Sequence, residues 1–367
     1  MNRTPYSDAP PRAFWARSVA GALPGEVDPA TPAAARISPQ SKVVSAGSCF
    51  AANIARYLRK AGFGYLVTES LHPLLFATDP QYYEKLGYGA YSAGYGNIYT
   101  PRQMLQLLQR AYRAFAPQED RWIGEGVIVD PFRPRLAYHA SSEREFEVLR
   151  EQHFAAVRSA FEQADFFIFT LGLTEAWRSR LDGAVYPACP GTVAGQFDAG
   201  KHEFVNFSCD EVHADIRGFV EFLTARNPRI RVILTVSPVP LVATATGSHV
   251  LAASTYSKSV LRVAAEQAEK GLGNVLYFPA YEIVTGPHAA GSYFQADRRN
   301  VTPEAVDHVM RVFFKNCTTG PLADVDKSDA ADSDLARQSR LTSAVEAAAE
   351  AACEEELVEI NSRRPET

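Results

Sequence analysis

Phe166-Phe167-Ile168-Phe169-Thr170-Leu171-Gly172-Leu173-Thr174-Glu175 is the stretch that decides the architecture. Its first six residues carry no charge. An apolar run of strand length reads as a strand buried on both faces, which is what a parallel sheet covered by helices requires. Val232-Ile233-Leu234-Thr235-Val236 is a second such run and empties into Ser237-Pro238-Val239-Pro240. Val43-Val44-Ser45-Ala46 is a third, followed by the tight turn Gly47-Ser48-Cys49, and residues 275–278 make a fourth. Helical periodicity fills the intervals. Residues 50–61 place Ile54, Tyr57 and Leu58 on one face, with Gly62 as the stop. Thr100-Pro101 starts a helix carrying Met104, Leu105, Leu107, Leu108 and Tyr112. Further helices are expected over residues 142–164, 209–226, 254–270 and 303–314. Strands alternating with helices predict an α/β three-layer sandwich around a central, mostly parallel sheet. In such sheets ligands sit beyond the carboxyl ends of the strands, where the turns after 46, 171 and 236 would gather.

Bulk properties narrow the function. The chain has 367 residues and a net charge of −5. Residues 319–367 hold twelve acids and five bases, so the remainder is close to neutral. No basic stripe suggests a nucleic-acid partner. Five cysteines at wide spacing, without a CxxC pair, argue against a zinc site or a disulfide framework. Cys209 and Cys317 read as small buried apolar residues. No run of eighteen apolar residues occurs, so no membrane span is expected, and a cytoplasmic location is the default. The expected organisation is a surface arm over 1–40, one domain over 41–318, and an acidic, Ala-rich tail over 319–367. Residues 341–360 of that tail can form a helix. Residues 64–100 read as a long ordered loop, a length that tends to carry function. The Gly-rich stretch 87–96 lacks the Gly-Lys-Ser/Thr ending of a phosphate loop, and no HExxH or dinucleotide fingerprint is present.

Gly47-Ser48-Cys49-Phe50-Ala51 joins a strand end to a helix start. A nucleophile placed there is exposed at the sheet edge and meets the positive end of the helix, which lowers a thiol pKa. Equally, Ser48 can be a helix cap and Cys49 a packed small residue. These five residues resemble the name-giving motif of the GSCFA family. Residues 95–100, 170–177, 237–240, 256–259 and 277–282 also look like that family, in order, so the resemblance covers about 41–316. It implies kinship with SGNH (GDSL-type) hydrolases, a flavodoxin-like fold, and acyl-ester hydrolysis or transfer, by analogy on an acylated carbohydrate or small-molecule ester. No cofactor or metal is implied.

Laid on the SGNH pattern, Cys49 takes the nucleophile position, with Ser48 the fallback one residue earlier. Gly96, with Asn97 beside it, matches the loop that gives an oxyanion N–H. Gly172 and Thr174 match the third element, Thr174 standing where an Asn is expected. Thr174 and Glu175 can instead be a helix cap and its first-turn acid. Asp297 matches the orienting acid, and Asn300 stands where the His general base should be. Asn cannot accept a proton near neutral pH, so the resemblance implies reduced activity.

Among substitutes, His308 is expected to face solvent, and His288 lies in a loop that can reach the site. His72, His202, His213 and His249 have no context that selects them. Cys189 is a rival thiol, or a structural residue of a Pro/Gly turn. Lys258 and Arg262, one helical turn apart, can hold a substrate anion or form a solvated face. Glu175, Trp177 and the tyrosines at 91, 95 and 99 are candidate pocket walls. The competing reading of the whole is a non-catalytic ligand- or partner-binding protein on the same scaffold.

Overall fold

The computed structural model describes residues 4–48, 50–69, 91–124, 126–136 and 139–319. Cys49, His72, Cys353 and the acidic tail with its expected helix at 341–360 lie outside the described residues.

The elements run as follows. A short helix α1 (Trp15–Ser18) lies in the N-terminal arm. Then come β1 (Val43–Gly47), α2 (Phe50–Lys60), α3 (Pro101–Ala111) and a hairpin β2 (Trp122–Gly124) and β3 (Val127–Val129). These lead to α4 (Glu143–Gln163) and β4 (Phe166–Leu171). Three short strands follow, β5 (Glu175–Ser179), β6 (Val185–Tyr186) and β7 (His202–Asn206). The chain closes with α5 (Cys209–Thr224), β8 (Arg231–Val236), α6 (Val250–Gly271), β9 (Val275–Tyr277), α7 (Ala280–Thr285) and α8 (Pro303–Cys317).

β1, β4, β8 and β9 pair in that order, all parallel. Tyr65 makes a parallel bridge to Val43 on the outer edge of β1. With residue 65 counted as an edge, the order is that of a doubly wound sheet. Its switch point, where such folds place ligands, falls between β1 and β4. Val44, Ala46, Phe167, Phe169 and Leu234 face one apolar layer, shared with α3, α4, α5 and α6. Val43, Phe166, Ile168 and Ile233 face the other, shared with α2, α7 and α8. Burial on both faces explains why the strands read as unbroken apolar runs.

The helix starts follow local chemistry. Ser208 and Glu211 form a capping box at α5, and Thr100 and Gln103 form one at α3. Thr100 Oγ1 accepts the Gln103 N–H at 3.2 Å, while Gln103 Oε1 accepts the N–H groups of Tyr99 and Thr100 at 2.9 Å. Thr100→Ala is expected to cost about 1 kcal/mol. A thermal melt reads this as a drop of about 2–4 °C, and an unchanged midpoint would show the cap to be idle.

Two readings need correction. Residues 175–206 form a separate three-stranded antiparallel sheet, β6-β5-β7, so Glu175 opens a strand and is not the first turn of a helix. His308 is buried at 1% exposure. The N-terminal arm covers the face of α8 that the helical period assigns to solvent. Ala33 N–H and Ile37 N–H donate to Asn316 O and Cys317 O, and Asp28 pairs with Lys315. The arm therefore contributes Ala30 and Ile37 to the core instead of merely lying on it. No helix among the described residues is long and apolar enough to cross a membrane.

Candidate active site

β1 ends on Gly47 with φ of +144°. A Cβ there would lie 2.5 Å from the Thr170 carbonyl oxygen and 2.7 Å from its Cβ, so β1 and β4 approach this closely only because residue 47 has no side chain. Ser48 follows, 4% exposed, with its N–H directed at Thr170 O at 3.4 Å. Its carbonyl accepts Ala51 N–H at 2.8 Å and the Tyr91 hydroxyl at 3.3 Å. Ser48 Oγ is buried and has no hydrogen-bond partner among the described residues. A hydroxyl left so is costly unless a ligand or water completes it.

The 95–99 segment closes over this turn. Ile98 N–H donates to Gly47 O at 2.9 Å, and the Tyr91 hydroxyl, which touches Ser48 O, also donates to Asn97 Oδ1 at 2.6 Å. Gly96 sits at φ of +67°, partly exposed, and its N–H meets no acceptor among the described residues. This is the arrangement a loop oxyanion donor needs. Tyr95 donates to Ser45 O, and burial holds its hydroxyl protonated well above the usual tyrosine range. It braces β1, and it also lines a small cavity with Asn97 and Ile98.

Thr170 and Thr235 are register partners across β4 and β8, and Gly47 is the partner of Thr170 on β1. Both threonine hydroxyls are buried without partners among the described residues. Sequence reasoning passed over them. The available signal was a hydroxyl one position from the end of two otherwise apolar runs, 166–171 and 232–236.

The third expected element is spent on structure. Gly172 N–H donates to Tyr99 O at 2.9 Å, Leu173 N–H to the same oxygen at 3.0 Å, and Thr174 Oγ1 to Asn206 Oδ1 at 2.6 Å. In this arrangement neither Gly172 nor Thr174 offers a donor to an oxyanion. Glu175 receives Thr244 Oγ1 at 2.7 Å and tethers the loop after β8. Burial raises its carboxyl pKa, and these hydrogen bonds only partly offset the shift. Lys258 is 3% exposed and donates to Gly172 O at 2.7 Å, so the solvated face expected of it is absent. Arg262 is bound instead to Glu266 and Glu282. Trp177 lies half-buried, edge-on to Phe197 and Phe204 in the small sheet.

Asp297 and Asn300 are brought together. Asp297 Oδ1 accepts the N–H groups of Arg299 and Asn300 at 2.9 and 3.0 Å, and Asn300 Nδ2 donates to Asp297 Oδ2 at 2.7 Å. Arg298 between them has φ of +56°, a conformation that side chains rarely adopt. No hydrogen bond among the described residues joins this turn to Ser48.

Most of the chain, residues 42–313, matches the GSCFA family. The chain belongs to that family. A comparison with curated proteins finds no match.

In this GSCFA protein five of the described histidines are engaged elsewhere. His288 does not reach the turn. It packs against Tyr293 and His308, on the side of the N-terminal arm. Tyr293 hydroxyl and His308 Nδ1 are 2.9 Å apart, and burial lowers the pKa of both imidazoles. His153 contacts Glu69, His202 contacts Glu119, and His249 caps α6. Burial pushes the Cys189 thiol up to about 11, away from the thiolate form near neutral pH. Cys317 is buried as expected, whereas Cys209 is only half-buried. A cleft of about 640 Å³ lies between the arm and α8, lined by Arg36, His308, Arg311 and Lys315 among others.

Proposed function

We propose that this GSCFA protein is an acyl-ester hydrolase or acyltransferase of SGNH type whose nucleophile lies in the Gly47–Ala51 turn. One observation carries the reading. At the switch point of the sheet the buried Ser48 hydroxyl, and the Gly96 N–H of the loop that closes over its turn, both lack a partner among the described residues. Acyl transfer needs a nucleophile and an oxyanion donor in one place. Cys49 is the proposed nucleophile, as the better intrinsic attacker, and Ser48 its helper or substitute. Asn97 sits beside the donor loop, and Asp297 is the acid that would orient a base at position 300. The substrate class is an ester, with acylated carbohydrate the suggested case.

The second reading, a ligand-binding protein on this scaffold, is favoured by Asn300. Its amide is bonded to Asp297 and has no site for a proton.

One experiment separates the two. The chain and its Asn300→His form are each incubated with an activated acetyl ester, and intact and peptide masses are followed in time. Acylation of the turn, with turnover rising about 100-fold in the His form, is expected, the usual gain from a positioned general base. Neither adduct nor turnover in two folded proteins, across a panel of acyl esters, would favour the binding reading.

A further inference from the structure

α3 carries a cation that its surroundings leave unmatched. Arg110 stands in the last turn of the helix and is 7% exposed. Its guanidinium lies over the Phe132 ring, 3.6 Å from the ring centre. Its Nε is buried without a partner, and the group makes no hydrogen bond or ion pair among the described residues. Arg133, close by, is spent on Asp130 and Glu69. Burial pulls the Arg110 pKa down to about 10, and Asp130, acting from beyond ion-pair distance, offsets only part of that. The negative end of α3 helps such a charge without giving its N–H groups an acceptor. A ring face recovers part of the desolvation cost, and the rest stands until an anion arrives.

Arg110 lines a cavity of about 20 Å³. Tyr95, Asn97 and Ile98, from the segment that closes over the Gly47-Ser48 turn, form part of its wall, with Gln103 and Arg133. Among the described residues no Asp or Glu belongs to that wall. Ile98 N–H holds Gly47 O, and Asn97 Oδ1 accepts the Tyr91 hydroxyl that touches Ser48 O. The cavity therefore shares a wall with the loop that borders the candidate site. Size and charge select its occupant. A volume of this order holds one or two water-sized groups, enough for a carboxylate head and too little for a phosphate or a sugar ring. One unpaired cation matches a monoanion. A guanidinium also offers paired N–H groups to the two oxygens of a carboxylate.

We propose that this cavity is an anion subsite, in which Arg110 receives the carboxylate of a ligand beside the 95–98 loop. The subsite does not depend on acyl transfer. Under either reading of the turn it fixes one end of the bound molecule by charge. A free small carboxylate and the carboxylate end of a longer ligand present the same chemistry.

Isothermal titration of the full chain with sodium formate, at constant ionic strength, tests the subsite. Formate should bind with a dissociation constant on the order of 1 mM, near the ceiling for so few heavy atoms. Neutral formamide should not bind. Arg110→Met should abolish measurable formate binding. Arg110→Lys keeps the charge but loses the paired donors, and should weaken it about tenfold. Phosphate, too large for the cavity, should behave alike in the full chain and in Arg110→Met. Affinity that rises from formate through propionate to hexanoate identifies the end of a longer ligand, and affinity that falls identifies a free small anion. Folding is checked by near-ultraviolet circular dichroism. Should Arg110→Met not fold, the Lys form decides. Formate binding of equal strength in the full chain and the folded variants would overturn the subsite. So would its absence at concentrations about 100-fold above the expected constant. Neither result bears on the acyl-ester experiment.

Discussion

Gly47→Ala is expected to lose about 3 kcal/mol or more of stability, the range reserved for strained backbone combined with a steric clash. Two terms add. The residue holds φ of +144°, where an L side chain is strained, and the new Cβ would stand 2.5 Å from a backbone oxygen of the neighbouring strand. The oxygen belongs to Thr170 in the middle of the sheet, so it cannot swing aside as a flexible side chain would. Relief requires β1 and β4 to part at the level of Ser48, which also displaces the turn. Urea unfolding should show a lower midpoint at an unchanged slope. Wild-type stability in this variant would mean that the turn is not built as described.

Arg133→Met is expected to be as severe for a different reason. Arg133 is 8% exposed, with Nε 2.8 Å from Asp130 Oδ2 and a second nitrogen 3.5 Å from Glu69 Oε1. Methionine fills much of the volume but leaves both buried carboxylates without this cation, a change that costs about 3–5 kcal/mol. The same cluster sets an acid limit. Burial pushes Glu69 up, but His153, Arg133 and the Gly94 N–H outweigh it and hold the carboxyl at about 2, against 4.5 ordinarily. Asp130 is likewise lowered, with Arg133 and Arg110 outweighing its burial. Carboxyls depressed in the folded chain are protonated first in the unfolded one. Their contribution is whole above about pH 4.5 and fades as pH falls toward 2. Without Arg133 both carboxyls titrate higher, so the acid-unfolding midpoint should move up. An unmoved midpoint, together with an unchanged urea curve at pH 7, would show the cluster to be energetically silent.

The sheet was legible because its signals are local. Residues 166–171, 232–236 and 43–46 are apolar at every position but their serine and threonines, and such runs have one stable use, a strand covered on both sides. The turn at 47–51 was legible for the same reason, a glycine between a strand pattern and a helix pattern. The pairing of Asp297 with residue 300 was implied by the resemblance to the SGNH pattern, and a tight turn brings the two side chains into contact. The small sheet over 175–206 escaped notice because its strands are two to five residues long and mix polar with apolar positions.

The sequence by itself therefore determined the layers, the parallel sheet and the turn at which its first strand ends. Only the tertiary structure decided which polar groups remain available there. Gly172 and Thr174 were expected as oxyanion donors from the resemblance, and Lys258 as an anion holder or a solvated charge from its place on a helix. Their hydrogen-bond partners lie tens of residues away, Ser257 from Thr174 by 83 and Lys258 from Gly172 by 86. His308 inverted its expected face because the arm, some 270 residues earlier by count of the chain, folds across α8. Periodicity reports which face of an element is apolar. It carries no record of what later covers the polar face, and a buried hydrogen bond is settled only when both partners have arrived.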